Sequence, residues 1–494
     1  MKKQIISIIM AFAILGTMCS CKKRVAVETS SDYYVSVAGQ SNTNSTDSNA
    51  QTSGVTSGVT SGVTSSTSSG TAKPNGTIKK DFSVKEGKTP IEQGLNFGGK
   101  TFIMAIPYTP SDAVKAKIAA FEKKYNLKIN LKIFSFNSYS NQVAALMNSG
   151  TSVDVGNMHG SMFPNAVIAN LYEPLDDIIT TADLCNTSNP DAGGIDLEKS
   201  KYFAWNNYLY GTCGYYATQP MMIYYNKKMV SDYGFEDLRS LYEKGEWTWD
   251  KLKEIGSTVL KGSGKKIYFG SMEYYSGWAV PANGGEYVTY KNNKPVENLT
   301  NERVIHALQF VQSICTGENA IIKNKGSQQD SSSFFSGETF SFAGGTNAYE
   351  KFSDSAKSSN AFGKKAENLG MVPMPLGPDN KEKKYPTDYL SCDTAGKGTS
   401  DRRVAVAWTK FCATYDSNEG KKYIMSDADK KLFNGLMGNI ISSNNGFSSS
   451  SESVNNIVSE IESKVYLGYN ITEILENNRT RVQSCIDTAL LQQR

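Results

Sequence analysis

Apolar and polar positions alternate along the chain in blocks that each fit one kind of element. "TFIMAI" (101–106) is a short continuous apolar run, the pattern of a buried strand. In "SDAVKAKIAAFEKKYN", Val114, Ile118, Phe121 and Tyr125 recur at helical spacing, and Ser111 stands where an N-cap belongs. "LKINLKIF" then puts Leu127, Ile129, Leu131 and Ile133 on one face of a strand. A helix is predicted over "SYSNQVAALMNSG", stopping at Gly150, and a third strand over "SVDVGNM". Strand, helix, strand, helix, strand is the order of a parallel, doubly wound sheet. In such sheets ligands sit beyond the C-terminal ends of the strands, here Ile106–Tyr108 and Met158–Ser161.

The same alternation continues downstream. "MMIYYN" (221–226) reads as a strand, and "TWDKLKEIGSTVL", "NERVIHALQFVQSIC", "VAVAWTKFCATY" and the tail from about residue 452 read as helices. The stretch "GEWTWDKLKEI" has two tryptophans that invite a ligand-platform reading. However, Thr248 is a helix N-cap residue, and Trp249, Leu252 and Ile255 fall on one helical face. Trp247 and Trp249 are therefore expected to pack the fold. No internal repeat appears in this part of the chain.

With 494 residues the chain is expected to form two or three domains. The 52 basic and 48 acidic residues nearly cancel. That balance offers no general attraction to nucleic acid or to an anionic surface. The two histidines, His159 and His306, and the lack of HExxH, GxSxG and P-loop patterns give no sign of a known catalytic motif. A pair of glycosidase carboxylates close only in space leaves no such signature. "KGSGKK" (261–266) lacks P-loop spacing and reads as a helix stop followed by a solvated turn.

The N-terminus has a different character. Lys2 and Lys3 precede the apolar run "IISIIMAFAILG", which has signal-peptide length and is too short for a membrane span. "TMCSCKKR" follows and resembles the lipobox of bacterial lipoproteins, which implies cleavage after residue 20 and diacylation of Cys21. Residues 27–80, which include "TSGVTSGVTSGVTSSTSSGT", have no core-forming period and read as a disordered tether with a reach of roughly 40 Å. Setting aside Cys19 and Cys21 leaves Cys185, Cys213, Cys315, Cys392, Cys412 and Cys485. An exported protein permits disulfides, but these six show no metal-type spacing and read as buried free thiols, with any pairing left open.

From about residue 96 onward the chain resembles the family 1 extracellular solute-binding proteins, the maltose-binding-type receptors of ABC importers. The resemblance is carried, in order, by "FEKKYNLKINL", "MNSGTSVDVGNM", "NLYEPLDDII", "GTCGYYATQPMMIYYNKKMVSDYGFED" with "WTWDKLKEI", "NGGEYV", "FFSGETFSFAGG", "LGMVPMPLGPD" and "VAVAWTKFCATYDSNEG". It implies a two-lobed, hinged, type II periplasmic-binding-protein fold in which each lobe is a mostly parallel doubly wound α/β sheet. The expected segments are a signal peptide at 1–20, a lipidated tether at 21–95, a first lobe from 96–217 plus 377–428, and a second lobe from 218–376 plus 429–494.

The resemblance also implies where ligand binds. Glu273, Tyr275 and Trp278 of "GSMEYYSGW" match acidic and aromatic cleft positions. Met158, His159 and Ser161 lie on a first-lobe loop that the family uses, although Met158 and Ser161 stand where it usually has an aromatic residue and an Asp, and Tyr108 is a candidate because it follows the first strand. Gln219, Gly345, Thr346 and Asp388 complete the set. A carboxylate accepts bonds from sugar hydroxyls and a ring covers the sugar's apolar face. The implied function is a lipid-anchored, extracytoplasmic, monomeric receptor with no cofactor or metal. It would bind a carbohydrate, expected to be an oligosaccharide, and deliver it to ABC permease subunits. Two other readings stay open: a cell-surface glycan-active enzyme, and a sensory binding protein for a membrane kinase.

Overall fold

The computed structural model describes residues 84–218, 220–271, 275–323, 331–387, 390–418, 426–442, 445–449 and 451–492. The signal segment, Cys21 and most of the tether lie outside these residues, as do Gln219, Glu273 and Asp388.

The first sheet begins with β1 (Lys100–Ile106), followed by α1 (Asp112–Tyr125) and β2 (Leu127–Ile133). Ser111 caps α1 by accepting from the Val114 N–H at 3.4 Å. Asn126, at φ 51°, ends α1 in a left-handed turn that delivers the chain directly into β2. β1 and β2 pair in parallel from Lys100↔Leu127 to Ile106↔Ile133. After α2 (Tyr139–Asn148), the chain joins the other edge of β1 through Met104↔Val155 and continues as β3 (Gly156–His159). The expected alternation in β2 holds with one departure: Ile133, at the C-terminal end of this edge strand, is 49% exposed.

One strand of each sheet is supplied by a crossover between the lobes. β4 (Tyr172–Glu173) ends the first lobe's strand run, and β5 (Met222–Asn226) crosses into the second lobe. There β6 (Gly270–Ser271), β7 (Ile322–Lys323), β8 (Ser341–Gly344) and β9 (Leu369–Pro373) assemble around it. β10 (Ser391–Gly396) then returns to the first lobe. The resulting orders are β2-β1-β3-β10-β4 and β7-β6-β8-β5-β9, joined at β1/β3 and β6/β8 by the bridges Met104↔Val155 and Tyr268↔Thr339. In each sheet four strands run parallel and the fourth in order is inverted: β10 pairs antiparallel with β3 and β4, and β5 with β8 and β9. Each inverted strand is the one supplied across the hinge. Gly370 lies opposite Tyr225 in the β5–β9 register, and a Cβ there would meet the tyrosine ring at 2.2 Å.

The helices cover both sheets. α3 (Trp249–Gly262), α4 (Tyr275–Ala282), α5 (Glu302–Cys315) and α6 (Tyr349–Ser358) pack on the second lobe, and α7 (Arg403–Asn418) packs on the first. α8 (Asp427–Met437), α9 (Val454–Tyr466) and α10 (Ile471–Leu491) return to the second. Among the described residues the connecting segments meet side by side at the hinge. Pro220 bridges Thr387, Met221 N–H donates to the Pro386 carbonyl at 2.8 Å, and Tyr385–Pro386 pair in parallel with Ile440–Ile441.

The tether ends earlier than its expected limit at residue 95. Val84, Ile91 and Leu95 pack against the first lobe's core. The Ile91 N–H donates to Asp183 Oδ1 at 2.7 Å, and Glu92 pairs with Lys410 of α7. Three spaced apolar side chains and one acidic anchor are enough to seat a short segment that has no secondary structure of its own.

Candidate ligand-binding cleft

The C-terminal ends of the parallel strands in the first sheet carry Tyr108 after β1, Phe136 after β2, and His159 and Ser161 after β3. His159 is fixed by its own loop. The Ser161 N–H donates to His159 Nδ1 at 3.1 Å, and the Ser161 hydroxyl lies 2.8 Å from the same nitrogen. With Nδ1 accepting, a neutral ring carries its proton on Nε2 and offers it as a donor. Phe136 meets the imidazole edge to face, with 5.4 Å between ring centres. Burial pushes the imidazole down to about 4, so the ring is neutral at physiological pH.

The second lobe approaches this loop directly. Asn455, in the first turn of α9, donates to the Ser161 carbonyl at 3.0 Å. Gly446 N–H donates to the Phe163 carbonyl at 2.9 Å, and Phe447 packs edge to face on Trp205, with ring centres 6.1 Å apart. His159 thus sits beside a seam where both lobes touch.

On the second lobe, β8 runs into Gly345 and Thr346, which open a short turn leading to α6. Gly345 accepts a bond from the Tyr224 hydroxyl at 2.9 Å, and Thr346 is fully buried. α4, which begins at Tyr275, follows the C-terminal end of β6. Trp278 on that helix is only 7% exposed and belongs to the central apolar core, and Met158 is fully buried in the same core. Tyr108 is half-buried against the first lobe's core. The structure therefore brings His159 and Ser161 together with Phe136, and places Gly345 and Thr346 at the matching edge of the other sheet.

Phe136 and Asn455 were not visible as candidates in the sequence. Phe136 lies in the short link between the predicted strand ending at Phe134 and the predicted helix starting at Ser138, where no period singles it out. Asn455 is one polar residue in an amphipathic helix some three hundred positions from Ser161, and no local pattern links the two. The tryptophans of "GEWTWDKLKEI" are structural, as expected. Thr248 accepts from the Lys251 N–H at 3.3 Å, the Trp247 and Trp249 indole N–H groups donate to the Pro373 and Pro375 carbonyls at 2.9 and 3.0 Å, and Trp249 stacks on Phe310 at 4.1 Å. His306 pairs with Asp379 at 2.8 Å on the surface of α5.

Residues 116–423 match the family model described as bacterial extracellular solute-binding protein. The chain belongs to that family. Among curated proteins none matches. Solved structures with the same type II binding-protein fold include the GacH receptor of Streptomyces glaucescens, solved unliganded and with acarbose. It is 15% identical, with a TM-score of 0.56 over 79% of this chain and 99% of that one. Lmo0181 from Listeria monocytogenes, an ABC substrate-binding protein in complex with cycloalternan, is 14% identical, with a TM-score of 0.57 over 79% and 99% of the two chains. The sugar-binding protein MalE of Xanthomonas citri is 13% identical, with a TM-score of 0.60 over 78% and 97%. In this solute-binding protein, no helix among the described residues is long and apolar enough to cross a membrane.

Proposed function

We propose that this solute-binding protein is a lipid-anchored extracytoplasmic receptor that takes up a carbohydrate, an oligosaccharide, between its lobes and presents it to ABC permease subunits. It acts as a monomer and performs no chemistry on its ligand. Family membership carries the reading, and two features support it. Polar and aromatic groups gather at the C-terminal edge of the first sheet, and structural relatives of the same fold hold acarbose and cycloalternan.

In this reading His159 donates through Nε2 to a hydroxyl or ring oxygen, and Phe136 and Tyr108 supply apolar faces for the sugar ring. Ser161, Gln219, Glu273, Tyr275, Gly345, Thr346 and Asp388 supply the remaining contacts. Met158 and Trp278 contribute by supporting the loops from beneath, since both are core residues. The lobes comprise 96–217 with 377–428, and 218–376 with 429–494, and Cys21 holds the lipid. Closure about the hinge replaces the hydration of the ligand's polar groups with protein partners.

A thermal-shift screen of the purified protein against mono- and oligosaccharides tests this, because a ligand that binds only the folded state raises Tm. An oligosaccharide that raises Tm and is recovered unchanged is the expected result. Consumption of the glycan would instead establish the enzyme reading. A panel-wide absence of shift, with a shift from a non-sugar solute, would remove the carbohydrate assignment.

A further inference from the structure

Two buried cysteines flank an isolated β-bridge near the hinge. Thr212 and Asp393 exchange both backbone hydrogen bonds, at 2.9 and 3.0 Å, in an antiparallel bridge. The next residues along the two chains are Cys213 and Cys392, which the register of this isolated bridge would set opposite each other as a pair of the non-hydrogen-bonded kind. The Cys213 carbonyl turns away from β10 and accepts from the Asp196 N–H at 2.8 Å, as strand alternation requires. Opposed residues of this kind sit about 4.5 Å apart, Cα to Cα, with both side chains on one face. That separation lies within the roughly 4.4–6.8 Å that a disulfide spans.

The side chains place both thiols close to the opposite chain. A Cβ built on Gly211 would fall 2.0 Å from Cys392 Sγ, so that sulfur lies over Gly211, two residues along the same face from Cys213, and as a thiol it reaches the Met158 carbonyl at 3.6 Å. Cys213 Sγ reaches the Ser391 carbonyl at 3.4 Å, beside Cys392. Both residues are thiols in this structure, and both are buried.

We infer that Cys213 and Cys392 are a cross-strand dithiol that oxidises to a disulfide when the chain folds outside the cytoplasm. This rests on export, and not on which solute is bound. Closing the bond removes two protons and two electrons. The acceptor is a disulfide-type oxidant: the thiolate of one cysteine attacks it to form a mixed disulfide, and the second thiolate displaces the oxidant's remaining sulfur as a thiol. Burial and nearby carboxylates raise both thiols well above their ordinary range. The exchange therefore takes place during folding, before the site closes.

The bond would do more than join neighbours. All five strands of the second lobe's sheet, from Met222 to Pro373, lie between these two cysteines. Oxidation would close the stretch that carries this sheet into a covalent loop fastened at β10 of the first lobe, with the hinge residues Pro220–Met221 and Pro386–Thr387 inside it. Crosslinks that close long loops restrict the unfolded chain.

The full chain, refolded with oxidised glutathione, alkylated under denaturing conditions and digested without reductant, should yield a peptide pair joining Cys213 to Cys392 at two mass units below the sum of the free thiol peptides. The oxidised protein should melt several degrees above the reduced one, and Cys213→Ser and Cys392→Ser should each abolish that difference. Solute-induced thermal shifts should persist in the oxidised protein, which separates this inference from the ligand assignment. Alkylation of both cysteines after refolding, or a linked peptide joining either of them to another cysteine such as Cys185, would overturn it.

Discussion

His159 shows how one side chain acquires a defined chemical state. Its Nδ1 is occupied by the Ser161 N–H and its ring is partly buried against Phe136, so protonation has no favourable outlet. The depressed imidazole makes two predictions. Ligand affinity should be flat from pH 8 to pH 5, and His159→Ala should weaken binding roughly three- to tenfold by calorimetry, the value of one neutral hydrogen bond. A titration with a midpoint near 6.5 would remove the neutral-donor role. The sign for stability follows from linkage: the unfolded chain binds the proton more readily than the folded one. The contribution of a neutral His159 is therefore complete above about pH 6.5 and declines as pH falls toward 4. Denaturation at pH 7 and pH 5 should show a larger loss for the wild type than for His159→Gln.

The tryptophan pair belongs to the same scale with the opposite outcome. Trp249 is buried, stacked on Phe310 and bonded to the Pro375 carbonyl. Trp249→Ala should cost about 3–5 kcal/mol in denaturant unfolding and leave the affinity of the folded fraction unchanged. A large affinity loss without destabilisation would return Trp249 to the list of ligand contacts. Its structural role was legible because a cap and a helical stripe are local signals. The His159 cluster was legible only in part. The strand end and the loop could be read, but the Phe136 contact depends on where β2 stops and the Asn455 contact on how two lobes meet. Neither property is encoded in any short window.

At the scale of elements, the segment from Val84 to Phe97 is a strap laid on the first lobe. Its fastening is a charge cluster at the lobe surface: the buried Lys410 on α7, the buried Asp183 at 2.8 Å, and the half-buried Glu92 of the strap itself. Burial alone would raise the Asp183 carboxyl, but the Ile91 N–H and the Lys410 ammonium outweigh it and hold the group below its ordinary range. A depressed carboxylate stabilises above its unfolded pKa, and that stability is lost as pH falls through the folded value, so acid should release the strap before the core melts. Lys410→Met leaves the buried Asp183 and the half-buried Glu92 without their cation and should cost about 3–5 kcal/mol. Limited proteolysis should then cut within residues 84–97 of the variant under conditions that spare the wild type. Equal resistance would show that apolar contacts hold the strap unaided.

The sheets give the corresponding lesson about legibility. Alternation and helical spacing located β1, α1, β2, α2 and α3 within a residue or two, because each buries one regular face. The inversion of β5 and β10 could not be read this way, since a fully buried strand has the same composition in either direction. Only the pairing of β5 with β8 and β9, and of β10 with β3 and β4, reveals it.

For the whole molecule, the seam between the lobes sets how a clamp of this design opens. Gly446 makes its closest approach there: its N–H bonds the Phe163 carbonyl at 2.9 Å, and a Cβ on it would fall 2.3 Å from that same oxygen. No flexible side chain can yield at this point, because the obstacle is backbone. A larger residue must push the 445–449 segment off the first lobe, drawing Phe447 from Trp205 and straining the Asn455 bond to the Ser161 carbonyl. Because Ser161 also holds His159, the displacement reaches the cleft. Gly446→Val is therefore expected to lower Tm by several degrees, increase the radius of gyration in small-angle scattering, and weaken ligand binding tenfold or more, although residue 446 contributes no side chain to the site. Gly438→Ala, at a helix end where an added Cβ meets nothing within 4 Å, is the matched control and should leave all three measurements unchanged. If Gly446→Val lowers Tm yet leaves affinity and scattering at wild-type values, the seam serves stability alone and the cleft geometry is set elsewhere.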